Sequence, residues 1–258
     1  MHTLSQFDEA TQSHLRLILS RINQQAPAEL RYKLEELLIE FQDVFIREGE
    51  RPIFITDFVH KIQTKPNIPP YAARPLLKPE AKLKFEREAV EELLDYGHIE
   101  KCSSPYASRV LVVPKAGGKM RLVIDYRVIN QYIIDSGFPM HGIDVMFHWL
   151  VKRHKIISVM DLSAGYHQVR LHPDSRDLLA FITFLGIWRP VCLMFGQADG
   201  ARGFLTAMHD VFAELLYTVL LNYFDDLVFS DSDHETHLTH LRLGFERMRK
   251  RQVKIQPK

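Results

Sequence analysis

The stretch LNYFDDLVFS, residues 221–230, places two aspartates, Asp225 and Asp226, between two short apolar runs. VLLNYF and LVFS are typical of strands in a packed sheet, so the sequence predicts a tight hairpin with both acids in its turn. Two-residue turns usually contain glycine, and adjacent carboxylates repel each other, a cost that a bound cation would relieve. Aspartate is also common in ordinary turns, so the stretch alone leaves a functional and a structural interpretation open.

A third aspartate, Asp161, follows the apolar run IISVM at residues 156–160. This run predicts a buried strand, and an acid at the end of such a strand would be exposed to a crevice. Together with Asp225 and Asp226 it would complete a set of hard oxygen ligands for Mg²⁺. Two such ions, roughly 3.5–4 Å apart, stabilise the attacking and leaving oxygens of an in-line phosphoryl transfer. No nucleophilic serine or cysteine arrangement is evident in the sequence, which favours this chemistry.

The bulk composition indicates an ordinary globular protein of 258 residues, with 46% apolar and 25% charged side chains. The net charge of +1 neither favours nor excludes a polyanionic partner. Cys102 and Cys192 lie far apart in the sequence, which excludes a disulfide scaffold or a thiolate zinc cluster. The N-terminus has no apolar signal core, and no apolar run approaches the roughly 20 residues of a membrane span. We therefore expect a soluble, intracellular protein.

The hydrophobic pattern of the first half predicts helices followed by a hairpin. Residues 8–45 are expected to form two helices. Five prolines within residues 64–79 exclude a helix or a central strand and predict an extended strap. A further helix should begin at Pro79 and end at Gly97. The runs RVLVVP and MRLVID, joined by KAGGK, predict a β-hairpin with basic residues beside its turn.

The second half of the chain predicts short strands and two more helices. Strand candidates precede the pair of strands around the two adjacent aspartates; they are VRLHP, LAFITF and WRPVCLM. Residues 200–217 and about 233–251 are expected to be helical, the latter behind the capping residues Asp231 and Ser232. The pattern predicts an α+β fold, with an antiparallel-rich sheet and interleaved helices.

Several ordered motifs resemble those of the reverse transcriptases of gypsy-type LTR retrotransposons and their retroviral relatives. YFDD at 223–226 resembles the Tyr-x-Asp-Asp box, and MDLSAGYHQVRL at 160–171 is similar to the preceding palm motif. Residues 98–130 resemble the fingers segment, and FVHKI at 58–62 resembles its lead-in. The resemblance begins at FQDVF, residues 41–45, and covers nearly everything from there to the end of the chain. Together the motifs are far more specific than any one of them.

The resemblance implies a right-hand polymerase of α+β class with fingers and palm, and with the thumb absent because the chain stops where a thumb would begin. Its parts would be a helical lead-in at 1–63, a strap at 64–79 and a fingers and palm domain at 80–258. The implied activity is RNA-directed DNA polymerisation, with a DNA primer on an RNA or DNA template, dNTPs and two Mg²⁺ ions, for which Mn²⁺ would substitute. Other Pol segments or a partner chain would supply the thumb. The implied location is a cytoplasmic retroelement particle or the nucleus.

The same resemblance implies roles for individual residues. Asp161 and Asp225 would bind both metal ions, with Asp226 in support. Tyr166 would lie under the sugar and reject a 2′-hydroxyl. The other implied nucleotide contacts are Lys115 or Lys119 and Arg121 at the triphosphate, Phe195 and Gly196 at the pocket floor, and Tyr223 of the Tyr-x-Asp-Asp box. Without the resemblance, the hairpin charges would be interpreted as solvated and Tyr166 as a core residue.

Two of three other features leave two interpretations open. The Asp-Tyr-Arg box at 125–127 would either stabilise the fingers or contact the template. HETHLTH at 234–240 lacks the His-Glu-x-x-His spacing of a zinc site, so its histidines are interpreted as surface residues. The last helix and the tail are rich in basic side chains, which would contact phosphates or simply be solvated; these are Arg242, Arg247, Arg249, Lys250, Arg251, Lys254 and Lys258.

One segment departs from the family pattern. After Phe195 and Gly196 the family continues Leu-x-Asn-Ala-Pro, whereas this chain has QADGARGFL at 197–205. Asp199 replaces the asparagine, and Leu205 replaces a glutamine expected near the template. This departure and the missing thumb favour an alternative hypothesis, a catalytically inactive, degenerate or co-opted domain that binds nucleic acid or protein.

Overall fold

The computed structural model describes residues 6–50, 53–134 and 155–257, together with positions 137, 142, 144, 145 and 148. Lys258, one of the predicted basic residues, lies outside them. The chain forms two compact units, and each combines separate stretches of sequence. The first contains Met1–Asp57, Met140–Gly165 and Met208–Lys258, and the second contains Phe58–Pro139 and Tyr166–Ala207.

The secondary structure confirms the predicted α+β class. Within residues 6–50, 53–134 and 155–257, the α-helices are α1 (Glu9–Leu19), α2 (Ala28–Glu40), α3 (Glu80–Asp95), α4 (Arg127–Asn130), α5 (Pro173–Arg176), α6 (Gly200–Phe212) and α7 (His234–Arg251). The strands are β1 (Tyr71–Ala72), β2 (Ile99–Lys101), β3 (Tyr106–Pro114), β4 (Met120–Asp125), β5 (Ile156–Asp161), β6 (Phe181–Thr183), β7 (Gly186–Pro190), β8 (Leu220–Tyr223) and β9 (Asp226–Asp231). No helix in the described ranges is long and apolar enough to cross a membrane.

The first unit contains a three-stranded antiparallel sheet in the order β5–β9–β8. Phe229 of β9 and Phe245 of α7 are fully buried. Gly244 permits this packing, because a Cβ at that position would overlap the Phe229 ring. Phe41, which follows α2, stacks on Phe245 with 5.6 Å between ring centroids. This apolar core supports the sheet that carries the three aspartates.

The second unit contains a mixed sheet in the order β1–β3–β6–β7–β2, with β4 paired to β3. The predicted hairpin of β3 and β4 is confirmed, with Val113 opposite Arg121. The proline-rich strap carries β1, which pairs in parallel with β3. Helix α3 begins after Pro79, and Gly97 follows its end with φ of 68°, a conformation that glycine adopts without strain.

Several local predictions were wrong. VRLHP does not form a strand, since its bridges, such as that between His60 and Leu171, are isolated. The helix predicted at 200–217 ends at Phe212. Strand β5 is not buried on both faces: Ser158 contacts α7, whereas the alternating Ile157 and Val159 are 52% and 60% exposed.

The start of the last helix also differs from the prediction. Its N-cap is Asp233, whose carboxylate accepts a hydrogen bond from the Thr236 backbone N–H at 2.9 Å. Asp231 belongs to β9 instead, and its carboxylate contacts two histidines of α7. Asp231 therefore contacts the side of α7 and does not cap its N-terminus.

Candidate active site

The register of the first unit's sheet brings the three predicted aspartates to one end of it. Asp161 is the last residue of β5 and lies directly opposite Asp226, the first residue of β9. Asp226 is in turn opposite Tyr223 of β8. Directly opposed residues of an antiparallel pair project to the same face with Cβ atoms about 4.5–5.5 Å apart. The predicted proximity of Asp161 to the adjacent pair thus follows from the backbone pairing.

The turn between β8 and β9 differs from the prediction in which residues it contains. Its two central residues are Phe224 and Asp225, and Asp226 already belongs to the strand. The backbone carbonyl of Asp225 accepts a hydrogen bond from the Leu162 N–H at 2.7 Å. This bond fixes Asp225 to the residue that follows Asp161, so all three acids are joined by backbone contacts.

The chemistry of these acids fits a hard divalent cation. Asp161 and Asp225 are half-buried and Asp226 is exposed. Across residues 6–50, 53–134 and 155–257, no group of three or more histidine, cysteine or acidic side chains is arranged to hold a metal ion. Mg²⁺ commonly takes one or two carboxylates and completes its shell with water and substrate phosphates. Asp161 and Asp225 would supply such a partial ligand set.

In the second unit, Tyr166 lies in an aromatic stack. Its ring centroid is 4.7 Å from that of Phe195 and 5.5 Å from that of Phe204, with interplanar angles of 29° and 5°. Phe195 is 59% exposed, whereas Phe204 is fully buried. The two ring contacts therefore restrain Tyr166, and the exposed Phe195 leaves part of the stack open to solvent.

The loop after this stack is held by a residue that the sequence did not single out. Asn130, at the end of α4, donates from Nδ2 to the Gly196 carbonyl at 2.9 Å. Its Oδ1 accepts from the Ala198 N–H, also at 2.9 Å. Gly196 has φ of 98°, and a Cβ there would approach the Ile124 carbonyl to 3.4 Å. The RVIN run contained Asn130, but a contact across 66 residues has no local signal.

The basic residues of the β3–β4 hairpin point into solvent. Lys115, Lys119 and Arg121 are all exposed. The turn is closed by a hydrogen bond from the Lys115 N–H to the Lys119 carbonyl at 2.6 Å. None of the three forms an ion pair with another residue that the structure describes, so their charges are available to an anion.

The Asp-Tyr-Arg box has a clear structural role. Arg127 donates from Nε and Nη2 to the two carboxylate oxygens of Asp125, at 2.8 and 2.7 Å. These hydrogen bonds lower the pKa of Asp125. Tyr126 is buried and donates its hydroxyl proton to the Leu179 carbonyl at 3.0 Å. Burial raises the pKa of this phenol well above its usual value.

The QADGARGFL segment forms a closely packed site. The Nε2 atom of His60 lies 2.9 Å from Oδ2 of Asp199, and both side chains are buried. A Cβ on Gly203 would lie 2.7 Å from the His60 ring, and a Cβ on Gly200 would lie 2.8 Å from the Gln197 side chain. The replaced residues thus fit one another. FVHKI contained His60, but its partner lies 139 residues away.

Most of the predicted basic surface is occupied by intramolecular ion pairs. Arg249 is paired with Asp43, and its guanidinium carbon lies 4.1 Å from the Phe41 ring centroid. Comparable pairs join Arg242 to Glu40, Arg247 to Glu214, Arg251 to Asp210 and Lys254 to Glu50. These contacts explain most of the cluster as a feature of the fold, because each of these five side chains has a nearby carboxylate.

The interpretation of all HETHLTH histidines as surface residues was wrong for His237, which is 3% exposed. Its Nδ1 lies 2.9 Å from Oδ2 of Asp231, and its Nε2 lies 2.8 Å from the Ser158 hydroxyl. His240 Nδ1 lies 2.7 Å from the other Asp231 oxygen. Burial lowers the pKa of His237, although the Asp231 carboxylate opposes this effect. The two imidazoles converge because residues three apart share a helix face.

Comparison with known sequences places these features in a family. Residues 113–258 match the model described as Reverse transcriptase (RNA-dependent DNA polymerase). The Retrovirus-related Pol polyprotein from transposon 297 of Drosophila melanogaster is 30% identical over 92% of this chain and 22% of its own length. That from transposon 412 of the same species is 30% identical over 93% of this chain and 20% of its own length. The chain thus spans about a fifth of these relatives.

Solved structures show the same fold. The foamy viral protease-reverse transcriptase in complex with RNA/DNA hybrid is 20% identical, with a TM-score of 0.83 over 96% of this chain and 33% of that chain. The same protein in complex with dsDNA is 21% identical, with a TM-score of 0.77 over 96% of this chain and 49% of that chain. This likeness supports a fingers and palm fold. With the family model covering more than half of its residues, the chain belongs to the reverse transcriptase family.

Proposed function

We propose that this chain forms the fingers and palm of an RNA-directed DNA polymerase, which adds deoxynucleotides to a primer 3′-hydroxyl. The observation that carries the proposal is the sheet register that sets Asp161 opposite Asp226 and beside Asp225. Adjacent acids at a sheet end repel each other unless a cation or a proton balances their charge. Their placement together, with Asp161 at the end of β5, Asp225 in the turn and Asp226 at the start of β9, therefore supports a metal-dependent phosphoryl transfer.

In the proposed reaction, the primer 3′-oxygen forms a bond to the α-phosphorus of a deoxynucleoside triphosphate. The bond between that phosphorus and the α–β bridging oxygen breaks, and pyrophosphate leaves while the hydroxyl proton passes to solvent. Bound Mg²⁺, or Mn²⁺ in its place, would neutralise the charge on the attacking and leaving oxygens. Asp161 and Asp225 would hold two such ions, with Asp226 in support.

Several individual residues are proposed as nucleotide contacts. Lys115 or Lys119 and Arg121 carry exposed charges suited to a triphosphate. The stacked ring of Tyr166 would lie under the sugar, where a 2′-hydroxyl would collide with it. Phe195 and Gly196 would form the pocket floor, and Tyr223 would contact the substrate beside the aspartates.

The partners proposed are a primed template and deoxynucleotides. Two of the solved structures with this fold are described as complexes with RNA/DNA hybrid and with dsDNA. The relatives are transposon Pol polyproteins of which this chain matches about a fifth. Further Pol segments, or a partner chain, would supply the thumb that grips the duplex.

The tight packing of the QADGARGFL segment argues against the alternative of a decayed domain. Random loss of a binding loop would leave cavities or unpaired polar groups, which destabilise a core. Here Asp199 has a buried partner in His60, and Gly203 provides the space for that ring. The segment is therefore packed and paired in this chain, which argues against a loosely folded remnant.

Primer extension tests the proposal directly. The protein is incubated with a DNA primer annealed to an RNA template, the four dNTPs and Mg²⁺, and products are separated by length. We expect extension that Asp225→Asn and Asp161→Asn both abolish. Asp174→Asn is the matched control, because this exposed acid pairs with Lys61 inside the second unit. Equal inertness of the wild type and Asp225→Asn on a well-annealed primer would support the non-catalytic alternative.

A further inference from the structure

The side chain of Asn222 bridges the turn that carries Asp225. Asn222 lies in β8 directly before Tyr223 and is 8% exposed. Its Nδ2 donates to the Phe224 carbonyl at 2.7 Å and makes a longer contact to the Asp226 carbonyl at 3.4 Å. Both partners are acceptors, so the amide nitrogen and not the oxygen must face them. One side chain therefore contacts the backbone on both sides of Asp225.

The residue that Asn222 holds has a strained backbone. Phe224 has φ of 50°. This left-handed conformation is disfavoured for a residue with a Cβ, and a bulky side chain there is a true outlier. Two-residue hairpins place glycine or asparagine at positions with positive φ. Phe224 thus needs a restraint that glycine would not need, and the short hydrogen bond to its carbonyl provides one.

A second restraint acts on the same turn from β5. The Asp225 carbonyl accepts from the Leu162 N–H at 2.7 Å. Three consecutive carbonyls, from Phe224 to Asp226, are therefore hydrogen-bonded, the outer two by Asn222 and the middle one by Leu162. Restraint from both sides fixes the path of the backbone from which the Asp225 and Asp226 carboxylates project.

Asn222 is a costly residue for this position. It lies opposite Leu227, which is fully buried. Its Oδ1 is buried and has no hydrogen-bond partner among the residues that the structure describes. A buried acceptor left unsatisfied is destabilising, and an apolar side chain would avoid that cost. Stability alone therefore does not explain an asparagine here, whereas the donor function of its amide does.

We propose that Asn222 is a positioning residue for the aspartate pair, which it keeps in a metal-binding arrangement by restraining the strained turn at Phe224. The inference rests on the proposed function for the chemistry that the aspartates perform. Asn222 would act through the backbone carbonyls that it contacts and not on the reacting atoms. Loss of its amide would release the Phe224 backbone and move the carboxylates on either side of the Asp225 peptide.

The test compares Asn222→Val with the double variant Asn222→Val/Phe224→Gly. Valine removes the donor and retains a preference for strands. Glycine at 224 removes the strain, so the restraint is no longer needed. Leu220→Val is the matched control, because Leu220 is fully buried in the same strand and makes no side-chain hydrogen bond to the turn. Far-UV circular dichroism and thermal unfolding verify that each variant folds.

Two measurements report on the turn without primer extension. Amide hydrogen exchange of Leu162, whose N–H donates to the Asp225 carbonyl of the turn, should be about ten-fold faster in Asn222→Val, because a released turn weakens that hydrogen bond. Mn²⁺ affinity, measured by electron paramagnetic resonance, should fall about ten-fold, because the released turn no longer holds the aspartate carboxylates in place. In primer extension, kcat should fall while KM for dNTP stays unchanged. The double variant should recover most of the Mn²⁺ affinity, and Leu220→Val should resemble the wild type.

The outcomes separate this inference from the proposed function. Wild-type exchange rates in Asn222→Val would overturn the positioning role, as would a double variant that binds Mn²⁺ no better than Asn222→Val. A wild-type protein that neither binds Mn²⁺ nor extends a primer would overturn the proposed function. In that case the exchange rate of Leu162 would still decide whether Asn222 restrains the turn.

Discussion

His60 Nε2 lies 2.9 Å from Asp199 Oδ2, inside the second unit, and the two side chains are 8% and 2% exposed. The pair joins the FVHKI segment to the start of α6, two parts of the sequence separated by 139 residues. Asp199 stands where the family pattern has asparagine. The buried partner explains how a charged residue is tolerated there, because a buried carboxylate without one would be strongly destabilising.

Replacement of Asp199 should reveal the energy of this pair. Asp199→Ala leaves His60 buried without its acceptor and should lower the free energy of unfolding by about 3 kcal/mol. Asp199→Asn keeps an oxygen that accepts from Nε2 and should cost about 1 kcal/mol. Urea denaturation measures both. Equal losses in the two variants would show that the hydrogen bond to His60 is not the stabilising contact.

Replacement of Gly203 by alanine should destabilise the protein, whereas the same change at an ordinary helix position stabilises it. Glycine to alanine in a helix interior usually stabilises by about 1 kcal/mol. In α6 the added Cβ would lie 2.7–2.9 Å from three atoms of the His60 ring. Gly203→Ala should therefore lower the free energy of unfolding by about 1–3 kcal/mol, the usual cost of overpacking.

A second background provides the control for Gly203→Ala. In the His60→Ala/Asp199→Ala variant the ring and its partner are both removed, so the added methyl group has space. There Gly203→Ala should become stabilising, again by urea denaturation. A loss of similar size in both backgrounds would mean that contact with His60 is not the cause.

The stability should depend on pH through His98, which is buried, and His167, which is half-buried, both in the second unit. His98 and His167 lie with ring centroids 4.7 Å apart. Burial lowers the pKa of each from 6.5 to about 4, and the neighbouring His167 adds to the effect on His98. Between these values the unfolded chain binds more protons than the folded chain, so stability is complete above pH 6.5 and falls as pH decreases towards 4.

The size of this pH effect is on the order of 3 kcal/mol for each histidine. Urea midpoints measured across the interval should decrease with acidification. His167→Phe should flatten part of the slope but not all of it, because burial still lowers the pKa of His98 and also lowers the pKa of His14 and His237. An unchanged slope in His167→Phe would exclude His167 as a contributor.

The basic residues of α7 should contribute to stability, whereas those of the β3–β4 hairpin should contribute to dNTP binding. Arg249 is paired with Asp43 and lies over Phe41, so Arg249→Ala should lower the free energy of unfolding by about 1 kcal/mol. It should leave the salt dependence of primer-template binding unchanged. Lys119→Ala on the exposed hairpin should have little effect on stability but raise KM for dNTP about ten-fold, as loss of one charged contact would.

Filter binding at several salt concentrations, steady-state kinetics and urea denaturation measure these effects. A weaker salt dependence in Arg249→Ala would restore the α7 basic cluster as a nucleic-acid surface. An unchanged KM in Lys119→Ala would leave Lys115 and Arg121 as the candidate triphosphate contacts.

Local sequence patterns predicted the elements whose signals are local. The two N-terminal helices, the β3–β4 hairpin and the strands on either side of Asp225 all follow from hydrophobic periodicity and turn residues. The strand predicted for VRLHP was wrong, because a short apolar run forms a strand only where a partner strand is available. The predicted end of α6 at residue 217 was also wrong, since the helix ends at Phe212. His237 was wrong because its burial depends on Ser158 and Asp231, which lie on other elements.

The sequence by itself determined the fold class, the family resemblance and the identity of the acids, since these reside in residue types and their order. Only the tertiary structure decided that Asp161 faces Asp226, that His60 meets Asp199 and that Asn222 reaches the carbonyl of Phe224. Strand register and buried hydrogen bonds depend on which distant segments pack together, and periodicity along the chain carries no information about that choice. LNYFDDLVFS therefore identifies Asp225 and Asp226. The pairing of β9 with β5 and the hydrogen bonds of Asn222 set the direction of their side chains.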